Sequence, residues 1–139
     1  MAKQTTIKIN KSFDDKMRLL EQTVEERVKD ELSSIADYAI SISPVDTGAY
    51  VESFSMLPAG QGGGRSKSSD ARRTSVKNGT ASRQQFTDIA RSNLYGDIER
   101  FSLETSDKVT LRNRAPHARD VEDKHGWSVF TKVRNKFGG

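Results

Sequence analysis

Between Phe13 and Ile42 the apolar residues recur every three or four positions: Phe13, Met17, Leu20, Val24, Val28, Leu32, Ile35, Ala39 and Ile42. That period draws one apolar stripe along an α-helix. Ser12 is a natural N-cap, and Asp15 three residues later gives a capping-box-like start. Asp14 and Asp15 also suit the positive end of the helix dipole. Glu25 and Lys29 form an i, i+4 pair in the favourable order. Pro44 disfavours helical geometry at Ser43, so the helix is predicted to stop there. About 31 residues at ~1.5 Å each make a rod of roughly 46 Å, long for a chain of 139 residues. Such a rod is expected to lie across a sheet or against a neighbouring subunit.

Ser43-Pro44-Val45-Asp46-Thr47-Gly48 then spells a tight reversal. Pro44 presets its own φ, Asp46 can accept a hydrogen bond from the backbone two residues on, and Gly48 can take a positive φ. Ala49 to Leu57 alternates, with Tyr50, Phe54 and Met56 on one side and Val51, Ser53 and Ser55 on the other, which reads as a strand. Residues 58–82 lose all periodicity and read as a flexible loop, with a short strand near Thr74–Lys77 closed by Asn78-Gly79. Phe86, Ile89, Ala90, Leu94 and Ile98 mark a second helix with Ser82 as its cap. Lys108–Arg112 alternates as another strand closed by Asn113. Residues 115–122 suit a helical turn or two, and Val129, Phe130, Val133 and Phe137 a short C-terminal helix, though Trp127 to Val133 would also pass as a strand. Together these make one domain, 1–139, with an N-terminal arm over 1–11.

Only 33% of the residues are hydrophobic and 30% are charged, so the core is small and neighbouring subunits are expected to complete the burial. The net charge of +4 hides alternating blocks: −3 over 1–57, +5 over 58–83, −3 over 84–107 and +5 over 108–139. Blocks of this kind complement one another within a fold or between subunits, or simply solvate exposed faces. The absence of cysteine excludes a disulfide scaffold, thiolate metal sites and a cysteine nucleophile, and it fits assembly in reducing cytoplasm. No apolar h-region opens the chain and no run approaches a membrane span, so no membrane partner is expected.

Two segments carry a resemblance. Ile42-Ser43-Pro44-Val45-Asp46-Thr47-Gly48-Ala49-Tyr50, between a long helix and a strand, resembles a signature of tailed-bacteriophage neck and tail-completion (head–tail joining) proteins. Val109-Thr110-Leu111-Arg112-Asn113-Arg114-Ala115-Pro116-His117-Ala118, followed by Val121-Glu122, resembles that family's second signature, in which a strand ends in Asn and a Pro-Tyr-Ala turn follows. His117 stands where the family usually has Tyr, the Glu122–Gly126 spacing is longer than usual, and the basic, glycine-rich Gly60–Asn78 loop is unusual. These departures leave open a head-proximal neck component or a tail-proximal completion protein.

The resemblance implies an α+β fold: a long N-terminal helix and a second helix packed on a small antiparallel sheet. It implies a virion protein, assembled in the host cytoplasm, that forms a homo-oligomeric ring of six or twelve copies at the head–tail junction. Its partners would be connector or stopper proteins on one side and tail-terminator or tail-tube proteins on the other, with a channel left for DNA. Pro44, Asp46, Thr47 and Gly48, with Asn113, Ala115, Pro116, His117, Ala118 and Glu122, would be its structural motif positions.

The loop cations Arg65, Lys67, Arg72, Arg73 and Lys77 have three readings: docking on an acidic neighbour, a solvated loop, or sequence-independent contact with DNA phosphates. Trp127 and Phe130 are candidate interface anchors or core residues. The alternative function is a small basic nucleic-acid-binding protein, although no aromatic is interleaved among the cations to stack bases. His117, Asp120, Glu122, Asp123 and His125 raise the thought of a metal-dependent hydrolase, but no zinc-protease spacing appears. Gly62-Gly63-Gly64-Arg65 lacks the Lys-Ser/Thr of a phosphate loop, and no nucleophile elbow is present. The expectation is no enzyme, no catalytic residues, no metal and no cofactor.

Overall fold

The computed structural model describes residues 2–58, 62–67, 75–104, 108–123 and 126–138. In the first 24 residues the side chains described are Lys16, Leu19, Leu20 and those from Gln22 on. The chain is α+β. Helix α1 (Ala2–Ile42) is followed by a 3₁₀ turn (Val51–Ser53), strand β1 (Phe54–Pro58), helix α2 (Arg83–Glu99), strand β2 (Val109–Asn113), helix α3 (Ala118–Asp123) and helix α4 (Val129–Phe137). β1 and β2 pair antiparallel, with Phe54 opposite Asn113 and Met56 opposite Leu111.

Helix α1 has 41 residues, about 61 Å at ~1.5 Å each, because it starts at Ala2 and not at Ser12. Ser12 therefore lies inside the helix, and the segment expected as an arm, 1–11, is helical from Ala2. A cap residue marks a start only if the chain before it cannot be helical, and no Gly or Pro precedes Ser12. The far end is as expected. The Ser43 hydroxyl donates to Ala39 O at 2.6 Å, and Pro44 follows outside the helix.

The core lies where α1 crosses α2 and the sheet. Ala36 and Ala39 are fully buried, and as small residues they let α2 come close with Phe86, Ala90, Leu94 and Ile98. An outer clasp joins the two helices, since Tyr95 Oη donates to Asp37 Oδ2 at 2.8 Å and Arg91 Nε to Asp37 Oδ1 at 3.1 Å. Helix α2 begins as its sequence indicates, with Ser82 Oγ accepting from Gln85 N. Across the core, α4 packs on α1, and the Tyr38 and Phe137 rings meet edge-on at 5.8 Å.

The strand expected over Ala49–Leu57 is shorter. Glu52 N donates to Gly48 O at 2.9 Å and Ser53 N to Tyr50 O at 3.0 Å, so the chain stays wound until Phe54. Tyr50 and Val51 are consequently both buried instead of alternating. The strand expected near Thr74–Lys77 is, over its described residues, a turn closed by Gly79 N donating to Val76 O at 3.2 Å.

Part of the loop expected to be free is tied down. Ser53, at the end of the 3₁₀ turn, and Ser55, on β1, are both buried, so their hydroxyls need partners. Residues 62–67 supply them: Arg65 N donates to Ser55 Oγ at 2.8 Å and Lys67 N to Ser53 Oγ at 2.7 Å. Ser66 Oγ donates to Arg114 O at 2.7 Å, and Arg112 donates to Gly63 O at 3.2 Å. The segment is a strap across the sheet.

Candidate functional site: the cleft at the Pro44–Gly48 bend

The two stretches 42–50 and 109–122 meet in one place. Asn113 Nδ2 donates to Tyr50 O at 2.8 Å, while Asn113 Oδ1 accepts from Ala115 N at 3.0 Å. One amide thus ties the end of β2 to the bend and starts the turn that follows. Ala115 is buried, and the His117 ring lies 6.3 Å from the Tyr50 ring, tilted by 51°. Ala118 opens α3, its N–H donating to Ala115 O at 3.1 Å, and Pro116 is exposed just before it.

The bend is held from outside. Asp46 O accepts from Val76 N at 2.9 Å and Asp46 Oδ1 from Lys77 N at 3.1 Å. The Asp46 carboxylate thus bonds a backbone amide 31 residues away, not the one two residues on. Gly48 has φ +82, and a Cβ there would lie 2.5 Å from Phe86 Cδ1, so both backbone and space require glycine. Arg83 closes the end of α1: its guanidinium donates to Ser43 O at 3.0 Å and to Ile40 O and Ser41 O at 3.1 Å. A cation on the last carbonyls of a helix meets the negative end of its dipole.

Between these parts lies an open cleft of about 630 Å³. Pro44, Val45, Thr47, Lys77, Val121 and Trp127 are among the residues that line it. Tyr50 also lines it, but its hydroxyl is buried with no hydrogen-bond partner. Burial, and then the charge of Glu122, push that phenol above its ordinary pKa, so it stays neutral. Trp127 is 41% exposed at the cleft, whereas Phe130 packs inward with its ring 6.0 Å from Phe54.

Glu122 has a different task from the cleft residues. Its Oε1 accepts from Phe130 N at 3.0 Å, and its Oε2 accepts from Thr131 N and Thr131 Oγ1 at 3.2 Å. These are the second and third amides of α4, whose own cap position, Ser128, makes no side-chain cap. Glu122 thus caps a helix from outside it.

The basic loop does not present its five cations together. Arg65 turns inward, with Nη2 to Asp97 Oδ1 at 2.6 Å, Nη1 to Asp97 Oδ2 at 2.7 Å, and a further bond to Phe54 O at 2.9 Å. Burial alone would push the Asp97 carboxyl up. The hydrogen bonds from Arg65, Met56 N and Arg100, with the charge of Arg65, outweigh it and hold the group below its ordinary value. Lys67 reaches the buried Glu52 carboxylate. Lys77 is exposed beside the cleft, and Arg72 and Arg73 lie outside the described residues.

Sequence reasoning missed Arg83, Asp97 and Glu52. Asp97 had a signal, because a carboxylate three residues after Leu94 falls on the apolar stripe of α2. Among the described residues no three His, Asp or Glu side chains come together to hold a metal; His125 lies outside them. Among the same residues no helix is long and apolar enough to cross a membrane. Compared with known proteins, the chain matches no family model, no curated sequence and no solved structure.

Proposed function

We propose that this chain is a structural subunit of the head–tail junction of a tailed bacteriophage, working as one copy in a ring and not as an enzyme. One observation carries the reading. The two stretches that resemble the joining-protein signatures, 42–50 and 109–122, form a single packed unit through Asn113 and Tyr50. Two chance likenesses to one family would have no reason to be joined by one side-chain amide. The ring caps one assembly, offers a docking face to the next and leaves a channel for the genome.

Of the five cations behind the nucleic-acid reading, Arg65 and Lys67 are engaged within the subunit. Sedimentation and negative-stain imaging of the purified chain, alone and mixed with connector and tail-tube proteins, test the proposal. Rings of six or twelve copies are expected. A chain that stays monomeric in every mixture would end it.

A further inference from the structure

Helix α1 is only partly used by its own subunit. The body holds it from Glu25 onward, where Glu25 Oε1 accepts from Leu103 N at 3.0 Å and Lys29 Nζ donates to Glu99 O at 3.2 Å. Among the described side chains of α1, full burial begins at Ala36. Ahead of Glu25, Leu19 is 65% exposed, Leu20 55% and Val24 42%. Leu20 and Val24 continue the stripe that Leu32 and Ala39 bury further along the same helix. An apolar stripe left open on a helix with charged flanks marks a contact with another chain.

We propose that the exposed stretch of α1 at Leu19, Leu20 and Val24 is a docking arm, and that it seats in the cleft beside the Pro44–Gly48 bend of a second copy of the chain. The proposal rests on the ring reading above and names the contact that would build the ring.

Geometry excludes the subunit's own cleft. The arm is at one end of α1 and the cleft, which starts at Pro44, is at the other. From Leu20 to Ile42 the unbroken helix holds them roughly 33 Å apart. Chemistry favours the cleft of a neighbour. Pro44, Val45, Val121 and the exposed Trp127 offer apolar walls to Leu19, Leu20 and Val24, in the manner of a helix laid in a groove.

Charge points the same way. Residues 19–31 carry Glu21, Glu25, Glu26, Asp30 and Glu31 against Arg27 and Lys29. The cleft is lined by Lys77 and Arg83 against Asp46, and α4 carries Lys132, Arg134 and Lys136 with no acid, which outweighs the acidic excess of α3, where Arg119 stands against Asp120, Glu122 and Asp123. Two arms side by side would instead bring like charges together. Because arm and cleft are different surfaces, the contact is head-to-tail, the kind that closes into a ring.

The chain has no cysteine, so introduced thiols report on this contact alone. The full chain with Val24→Cys and Val45→Cys together, oxidised at assembly concentration, should give a ladder of covalent multimers on a denaturing gel. Either single variant should give none. Dimers from Val24→Cys alone, with no ladder from the pair, would mean arm on arm and overturn the proposal. In a second variant, Leu20→Asp with Val24→Asp, association should weaken by about 100-fold or more, as two buried aliphatic side chains are lost. Its helical circular dichroism should hold, because both residues are exposed within the subunit. Rings of undiminished strength in that variant would remove the arm and leave the ring standing. An unaltered chain that never assembles would remove the ring reading, and the arm with it.

Discussion

Asn113 and Tyr50 are 63 residues apart, yet the Asn113 side-chain amide donates to the Tyr50 carbonyl at 2.8 Å. The same amide's oxygen accepts from Ala115 N at 3.0 Å, so both halves of the side chain are engaged. No shorter or non-amide side chain offers a donor and an acceptor in that arrangement. Asn113→Ala would leave the Tyr50 carbonyl and the Ala115 amide without these partners. The expected loss of stability is about 1–3 kcal/mol, read from urea unfolding at constant slope. A variant as stable as the parent would show that water replaces the clamp.

Asp97 and Arg65 close the outer edge of β1. The Asp97 side chain is 5% exposed and accepts from Met56 N at 2.9 Å as well as from Arg65. Removing one member of such a pair strands the other, so Asp97→Asn should cost about 3 kcal/mol at neutral pH. The pH dependence has a definite sign. The Asp97 carboxyl is held below its ordinary value, so its contribution is present above the unfolded value of about 3.9 and is lost as pH falls through the folded value. Thermal unfolding of the parent should therefore fall more steeply below about pH 4 than that of Asp97→Asn. Equal slopes would assign the acid limb to other carboxylates.

What was legible in the sequence was local. Ser82 caps α2 through Gln85 N, a bond spanning three residues, and the apolar period of that helix names its buried side. Pro44 ends α1 by a steric rule that acts on its immediate neighbour. The illegible parts depend on partners far along the chain. Arg65 sits among glycines and serines and reads as a cation for an outside partner or for solvent, because its carboxylate is 32 residues on. Ser53 and Ser55 alternate as an outward face, yet both are buried under the 62–67 strap. The true start of α1 was hidden for the opposite reason: Ser12 has good cap chemistry, but nothing before it breaks the helix.

Gly48 and Gly79 separate backbone strain from crowding. Both have positive φ, +82 and +77, but only Gly48 is enclosed. Gly79→Ala should cost about 1 kcal/mol for the left-handed backbone alone. Gly48→Ala adds a methyl facing Glu52 and the Phe86 ring, where overpacking contributes a further 1–3 kcal/mol or so. The expected total at Gly48 is about 2–4 kcal/mol. Equal midpoints for the two variants in denaturant would mean that Phe86 moves aside freely.

Glu122 has a local task that gives it a physical reason to be acidic. Three hydrogen bonds from Phe130 and Thr131 end on its carboxylate, at the positive end of α4. Ser128, at the cap position, has φ 47 and makes no side-chain cap, so α4 depends on Glu122. Glu122→Ala should destabilise the protein by about 1–2 kcal/mol, and Glu122→Gln by less, since the amide oxygen still accepts one bond. The loss should be local as well as global. Amide exchange at Phe130 and Thr131 should quicken in Glu122→Ala, while Gln85, capped by Ser82, keeps its rate. Uniform quickening at all three amides would show instead that α4 opens only with the whole domain.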